Sequence, residues 1–323
     1  MPANAPRRRI LVIKHGALGD FVLATGPFTA IRAHHLGDSV TLLTTPPFAD
    51  FARLSSLFDE VWTDTRPGPF ALGAWLDLIR RLRQGDFARV YDLQTSDRSS
   101  LYFRFFGRPK PEWSGIARGC SHPHTNPNRT RMHTVDRQAD QLRVAGIQHV
   151  PHPDLTWANT DISGLGLPKR YALLVPGGSA HRPGKRWPPA RYAELASRFA
   201  ARGLTPVAVG GAEDRGLTHV AAGAGGQDLA GQTSLAELVE IARGAEFAVG
   251  NDSGPMHVAA TVARRAVVLF SHESDPALCA PRGPEVRIVR KPRLADVTVD
   301  EVADIALIGQ DLLMKSSPAG GGG

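Results

Sequence analysis

The chain has 323 residues, 42% hydrophobic and 21% charged, enough for two domains of about 150 residues each and too apolar for a disordered chain. Two cysteines, Cys120 and Cys279, exclude a disulfide framework and fit a reducing compartment. The formal net charge is +7, yet no zinc-finger, RRM or KH signature accompanies it, so nucleic acid is not the expected partner. The basic start, residues 1–9, is followed by no long apolar run. A cytoplasmic protein is expected, at most peripheral to a membrane.

In chain order, the elements alternate between short apolar strands and amphipathic helices, the pattern of parallel α/β sheets. Residues 9–14 (RILVIK) read as the first strand and 15–20 (HGALGD) as a glycine-containing turn. A helix follows over 21–34, then strands at 39–44 and 60–63, a helix over 72–84 and a strand at 87–93. Residues 95–134 are rich in Arg, His, Pro and Gly and read as long irregular loops, anchored by Tyr102, Phe103, Phe105 and Phe106. A helix over 135–145 closes the first half. Residues 150–168 carry three prolines and two glycines and suit an interdomain bridge. The second half gives strands at 171–175, 205–209, 247–249, 266–270 and 286–289. Its helices fall at 188–202, 234–243, from 256 and over 299–314, with Ser234 and Glu237 spaced as a capping box. The reading is α/β, two doubly wound domains over 1–158 and 168–323, facing a central cleft. The closing helix is a candidate to pack back on the first domain.

Ligands of such sheets bind beyond the carboxyl ends of the strands, and four turns lie there. In the first, KHGALGD at 14–20, Asp20 suits either a general base or a helix N-cap. The spacing fits neither a dinucleotide fingerprint nor a Walker A loop. In the second, 176–188 (PGGSAHRPGKRWP), Gly177, Gly178 and Ser179 offer N–H groups and a hydroxyl to phosphate, and Lys185 and Arg186 add positive charge. In the third, 210–214 (GGAED), either Glu213 or Asp214 suits a ribose diol. In the fourth, 250–257 (GNDSGPMH), Ser253 and Gly254 open a helix where a diphosphate is favoured. Asp252 there is a cap or a ligand, and His257 a packed helix residue or a ligand. The positive charge is concentrated at 98–137, with eight Lys or Arg against Glu112 and Asp136. Such a region attracts phosphates or an anionic membrane surface.

Together RILVIKHGALGDFVLATGP, PGGSAHRPGKRWPPARYAELA and TSLAELVEIARGAEFAVGNDSGPMHVAA, in this order, resemble glycosyltransferase family 9, the ADP-heptose:lipopolysaccharide heptosyltransferases, over residues 9–308. The resemblance implies a GT-B fold, with two Rossmann-like domains, the first for acceptor and the second for nucleotide-sugar. It implies inverting transfer of heptose from ADP-heptose to a lipopolysaccharide core or related lipid-linked anionic glycan at the inner face of the cytoplasmic membrane, without metal or cofactor. On that resemblance Asp20 is the base. Ser253, Gly254 and His257 hold the donor diphosphate, Lys185 its phosphate-linked side, Glu213 the ribose and Asp252 the sugar, with Ser179 at a phosphate. Lys14, Arg98 and Arg118 are acceptor-side candidates. The competing readings are a nucleotide-sugar epimerase, a transferase using another nucleotide-sugar, and a non-catalytic nucleotide-sugar-binding scaffold.

Overall fold

The computed structural model of the chain describes residues 7–179 and 181–308. They form two compact units. One runs to Ala158 and includes Ala277–Cys279; the other runs from Asn159 to Pro276 and resumes at Ala280.

The first unit holds β1 (Arg9–Ile13), α1 (Leu18–Leu23), α2 (Thr25–His34), β2 (Ser39–Thr44), α3 (Pro46–Arg53), β3 (Glu60–Thr63) and α4 (Leu72–Gln84). It continues through β4 (Phe87–Asp92), α5 (Asp97–Tyr102), β5 (Glu112–Gly115), β6 (His122–Pro123) and α6 (Thr134–Val144). Its six strands are parallel in the order β3-β2-β1-β4-β5-β6. The second unit holds β7 (Tyr171–Val175), α7 (Pro189–Ala200), β8 (Thr205–Ala208), α8 (Arg215–Ala222), β9 (Gln227–Asp228), α9 (Leu235–Gly244), β10 (Phe247–Asn251) and α10 (Gly254–Val262). There follow β11 (Ala266–Phe270), α11 (Pro276–Cys279), β12 (Val286–Arg290) and α12 (Val299–Leu307). Its order, β12-β11-β10-β7-β8-β9, is again fully parallel. Read from the other edge it repeats the first sheet, and both follow the order of dinucleotide-binding sheets.

Central strands of such sheets are covered on both faces, which is why they read as unbroken apolar runs. Ile10 to Ile13 of β1 and all of β7 and β11 are buried. Register fixes what lies beside each strand end. Ile13 pairs with Leu43 on one side and Asp92 on the other, so β1 delivers Lys14 next to the end of β4. Val175 pairs with Gly250, which sets the loop after β7 against the end of β10.

Several elements lay outside the sequence reading. The 95–134 stretch folds into α5, β5 and β6. Trp113 of β5 is fully buried between Phe103 and Phe106, and α5 opens with a capping box from Ser96 and Ser99. Helices α3 and α8 were also missed. Helix α3 starts at Pro46-Pro47, a pair that suggests a turn but is at home in a first helical turn. The helix expected over 21–34 breaks at Ala24, and α1 starts at Leu18. The capping box of α9 forms as expected, with Ser234 N–H donating to Glu237 Oε2 at 2.7 Å and Glu237 N–H to Ser234 Oγ at 3.2 Å. Helix α12 buries Val299, Val302, Ala303 and Ala306 in the core of the second unit, beside Trp187 and Phe199. Residues 309–314 of the expected closing helix lie outside the described residues. Among those described, no helix is long and apolar enough to cross a membrane.

The bridge divides. Its first part belongs to the first unit, where Asp154 N–H donates to Thr25 Oγ1 at 3.0 Å and Leu155 and Ala158 are buried. The Pro151 carbonyl crosses α2 so closely that a Cβ on Gly26 would lie 2.1 Å from its oxygen. Gly26→Ala should therefore lower unfolding stability by about 1–3 kcal/mol, since backbone must move to admit one methyl group. Urea denaturation reads this directly, and an unchanged midpoint would refute the close crossing.

Candidate functional site

In the first unit the strand order reverses between β1 and β4, and the loops leaving those two strands carry the charged residues. Lys14 is buried, with Nζ donating to Leu93 O at 3.4 Å. Burial pushes its ammonium below the ordinary lysine value; the charges of Asp20 and Asp92 act the other way and Arg137 reinforces the drop. Asp92 has no exposed surface. Burial pushes its carboxyl up to about 6, against the pull of the N–H groups of Thr95 and Gln94, the Ser99 hydroxyl and Lys14. The two N–H groups reach Asp92 Oδ1 at 3.0 and 3.1 Å.

Asp20 is the third residue of α1, whose N-cap is Ala17. It is therefore not a cap, and the simpler of its two readings fails. Among the described residues no side-chain hydrogen bond engages it, and its charge is felt by both Lys14 and Arg137. Arg137, on α6, is half-buried and held below its ordinary value by burial and by Arg129, with Asp20 opposing. Sequence reasoning counted Arg137 only as one charge in a basic stretch. The available signal was its place near the start of a helix that itself opens beyond a strand end.

Of the acceptor-side residues named from sequence, Lys14 lies in this set. Arg98 does not point out of the protein. Its Nε donates to Tyr102 Oη at 2.8 Å and Nη1 to Pro67 O at 3.1 Å, Nη2 lies 3.8 Å from Asp64 Oδ1, and the guanidinium stacks on Trp75. Asp64 in turn faces His15 Nε2 at 3.2 Å and accepts from Tyr102 Oη. Burial works against the Asp64 carboxylate, but His15, Tyr102 and the Arg66 N–H hold it down at about 2. Arg98 thus braces the turn that carries Asp20. Arg118 is exposed between β5 and β6, and no ion pair among the described residues ties it to that turn.

In the second unit the order reverses between β7 and β10. Asn251, fully buried at the end of β10, joins the two. Its amide donates to Pro176 O at 2.7 Å and Gly177 O at 3.3 Å, while Oδ1 accepts from Trp187 N–H at 3.1 Å and Tyr192 Oη at 3.0 Å. This fixes the loop bearing Lys185, which the sequence reading did not foresee. Lys185 Nζ meets Asp252 Oδ2 at 2.5 Å, and Ser274 Oγ donates to the same oxygen. Two residues named separately from the sequence are therefore one ion pair. Ser253 is the N-cap of α10, extended, with no side-chain capping bond. Its Oγ is shielded from solvent and has no hydrogen-bond partner among the described residues. Gly254 is the first helical residue, and His257 is buried within the opening turn, its N–H bonded to Ser253 O. The first-turn N–H groups make this a natural anion site.

Glu213 and Asp214 differ in burial. Asp214 is buried and accepts from Gly211 N–H at 3.3 Å, with Arg186 Nη2 3.5 Å away. Burial raises its carboxyl above the usual range. A Cβ on Gly177 would strike it at 2.4 Å, so it is part of the packing. Glu213 is exposed beyond β8, with its carboxylate over Gly211. Ser179 is exposed in the same loop as Lys185, and its carbonyl accepts from Arg182 N–H. Among the described residues no group of three His, Cys, Asp or Glu is arranged to hold a metal ion.

Asp92 generates a pH prediction. Its folded-state value is raised, so its stability contribution is complete below the unfolded value near 4 and is lost as pH rises through about 6. Between pH 4 and 7, Asp92→Asn should gain on the parent chain by on the order of 2–3 kcal/mol of unfolding free energy. Parallel pH profiles in urea denaturation would show that Asp92 is not charged at a cost.

Comparison with known proteins fits this geometry. Residues 75–303 match glycosyltransferase family 9 (heptosyltransferase). Lipopolysaccharide heptosyltransferase 2 of Salmonella typhimurium (strain LT2) is 37% identical over 316 residues, covering 87% of this chain and 88% of that protein. The crystal structure of the glycosyl transferase family 9 from Veillonella parvula superposes with a TM-score of 0.81 at 21% identity, over 96% of this chain and 98% of that one. The structure of an Escherichia coli heptosyltransferase with ADP gives 0.72 at 19% identity, over 96% and 100%. The two parallel sheets are those of the GT-B fold, and the chain belongs to glycosyltransferase family 9, the heptosyltransferases.

Proposed function

We propose that this glycosyltransferase moves heptose from ADP-heptose to the lipopolysaccharide core, with inversion, at the inner face of the cytoplasmic membrane. The curated relative named above is a lipopolysaccharide heptosyltransferase, and a solved neighbour carries ADP. The observation that carries the mechanism is the placement of Asp20. It stands on a helix turn beside two cations, capping nothing and bonded to nothing among the described residues. A carboxylate so placed is available to take the proton from an acceptor hydroxyl. That oxygen then attacks the anomeric carbon as the bond to the diphosphate breaks on the opposite side of the sugar.

The donor is assigned to the second unit. The N–H groups at Ser253 and Gly254 and the Ser253 hydroxyl face the diphosphate, with His257 behind them. Lys185 supplies the mobile cation that meets the charge developing on the leaving group, and no metal or cofactor takes part in this scheme. Its pairing with Asp252 holds it in place until phosphate competes for it, and Asp252 is then released toward the sugar hydroxyls. Glu213 takes the ribose diol and Ser179 a phosphate oxygen. On the acceptor side Lys14 and Arg137 face the anionic glycan beside Asp20 and Arg118 meets it further out, while Arg98 acts through the brace on the Asp20 turn.

Asp20→Asn should reduce kcat by about 10²–10⁴-fold while leaving ADP binding within about twofold. Equal loss of ADP affinity and turnover would remove Asp20 from the role of base, and absence of turnover in the parent chain would favour a binding scaffold. In a thermal-shift panel of ADP, GDP, UDP and CDP, ADP should give the selective rise in midpoint, because only a ligand of the native state stabilises it. A selective rise with UDP or GDP would replace the donor and keep the transferase.

A further inference from the structure

Three large apolar side chains of the first unit have no cover. Phe70, in the loop after β3, is 95% exposed, and Leu72 and Leu76 of α4 are 70% and 59% exposed. Leu72 and Leu76 are four residues apart and so share one stripe of the helix. The same helix already buries Leu78 and Leu82 against the core, so the stripe is a second apolar face. Isolated exposed apolar residues are ordinary, but a contiguous group at one helix end marks a contact surface. Arg80 and Arg83 continue the stripe at helical spacing. The segment after α5 packs alongside, through Arg83 Nε donating to Phe105 O at 2.7 Å and the Trp75 and Phe105 rings at 5.7 Å, and it presents the exposed Arg104. Asp77 pairs with Arg80 at 2.8 Å. Among the described residues, no carboxylate pairs with Arg83 or Arg104.

We propose that Phe70, Leu72 and Leu76, rimmed by Arg83 and Arg104, dock the first unit on an anionic bilayer surface. A short apolar stripe bordered by arginines is the form of a helix that lies in the interface, its apolar side chains among the upper acyl chains and its cations on the lipid phosphates. The position has a consequence for the reaction. The loop bearing Phe70 begins at Asp64, which faces His15 in the Asp20 turn, and Arg98 ties that loop to Asp64 through Pro67 O. Docking there sets the Asp20 turn at the membrane plane, where a lipid-linked acceptor is held. The functional part of this inference rests on the acceptor being lipid-linked; the docking itself does not.

The test is co-sedimentation of the full chain with vesicles of phosphatidylethanolamine and phosphatidylglycerol, and with phosphatidylcholine vesicles as the neutral surface. The parent chain should bind the anionic vesicles more strongly. The variant Phe70→Ser/Leu72→Ser/Leu76→Ser should bind them about tenfold or more weakly. Arg104→Glu should lose about fivefold or more on anionic vesicles alone. Both variants should keep the parent melting midpoint, the ADP-induced shift and turnover on a water-soluble, delipidated core acceptor. Retained vesicle binding in the triple variant would overturn the proposal, as would a parent chain that binds no vesicle, an outcome that would point to a protein partner for the stripe. Failure of the transferase reading would show instead as absent turnover in the parent chain, with the vesicle result unaffected.

Discussion

A parallel sheet whose strand order reverses beside its first strand sends the two loops leaving the central pair toward opposite faces, so the sheet itself leaves the space between them to be filled. In this chain that constraint occurs twice, between β1 and β4 and between β7 and β10. The proposed base follows β1, Lys185 follows β7, and its partner Asp252 with the α10 N-terminus follows β10. Ordinary core packing ends at these points, because the neighbouring strands stop in polar residues, Asp92 and Asn251.

The two ends solve the same problem with different chemistry. Asn251 is neutral and satisfies both of its polar atoms, giving to Pro176 and Gly177 and accepting from Trp187 and Tyr192. It orders the loop without adding charge, and the field of the α10 N-terminus stays available to an anion. Asp92 sits in the corresponding strand of the other sheet as a buried acid, near a buried lysine. Both groups are displaced toward their neutral forms by burial. Burying ionisable groups is costly unless they are paired, and perturbed groups of this kind cluster at functional sites. The first unit carries that cost beside the residue assigned as base.

The fold was readable because its strands are short, largely apolar runs separated by helical periodicity. β1, β2, β7 and β11 each announce themselves in this way. The missed elements have no such signal. β6 is two residues, His122–Pro123, and β5 is four, Glu112–Gly115; β5 is a strand through its pairing with β4 and the burial of Trp113, and β6 through its pairing with β5. Candidate site residues with a motif around them, Lys185 in its K-x-W-P run and Ser253 in NDSG, can be named from the sequence. Asn251 lay inside the same motif, but its role depends on Pro176 and Trp187, far away in sequence. Glu213 and Asp214 are adjacent and chemically alike, so burial alone separates them.

Arginine shows where composition stops being informative. The stretch 98–137 is basic as a block, yet its members do different work. Arg98 is enclosed by Asp64, Tyr102 and Trp75, and Arg137 is half-buried beside Asp20 and Arg129. Arg104 and Arg118 are in water. A guanidinium already holding hydrogen bonds in fixed geometry gives up more to bind an incoming phosphate than one with free donors. The net charge of the region therefore overstates its capacity for anions. That capacity resides in the arginines that no carboxylate or carbonyl has claimed, and Arg98, the most conspicuous from sequence because it opens the run, instead braces the loop after β3 through Pro67 O and Asp64.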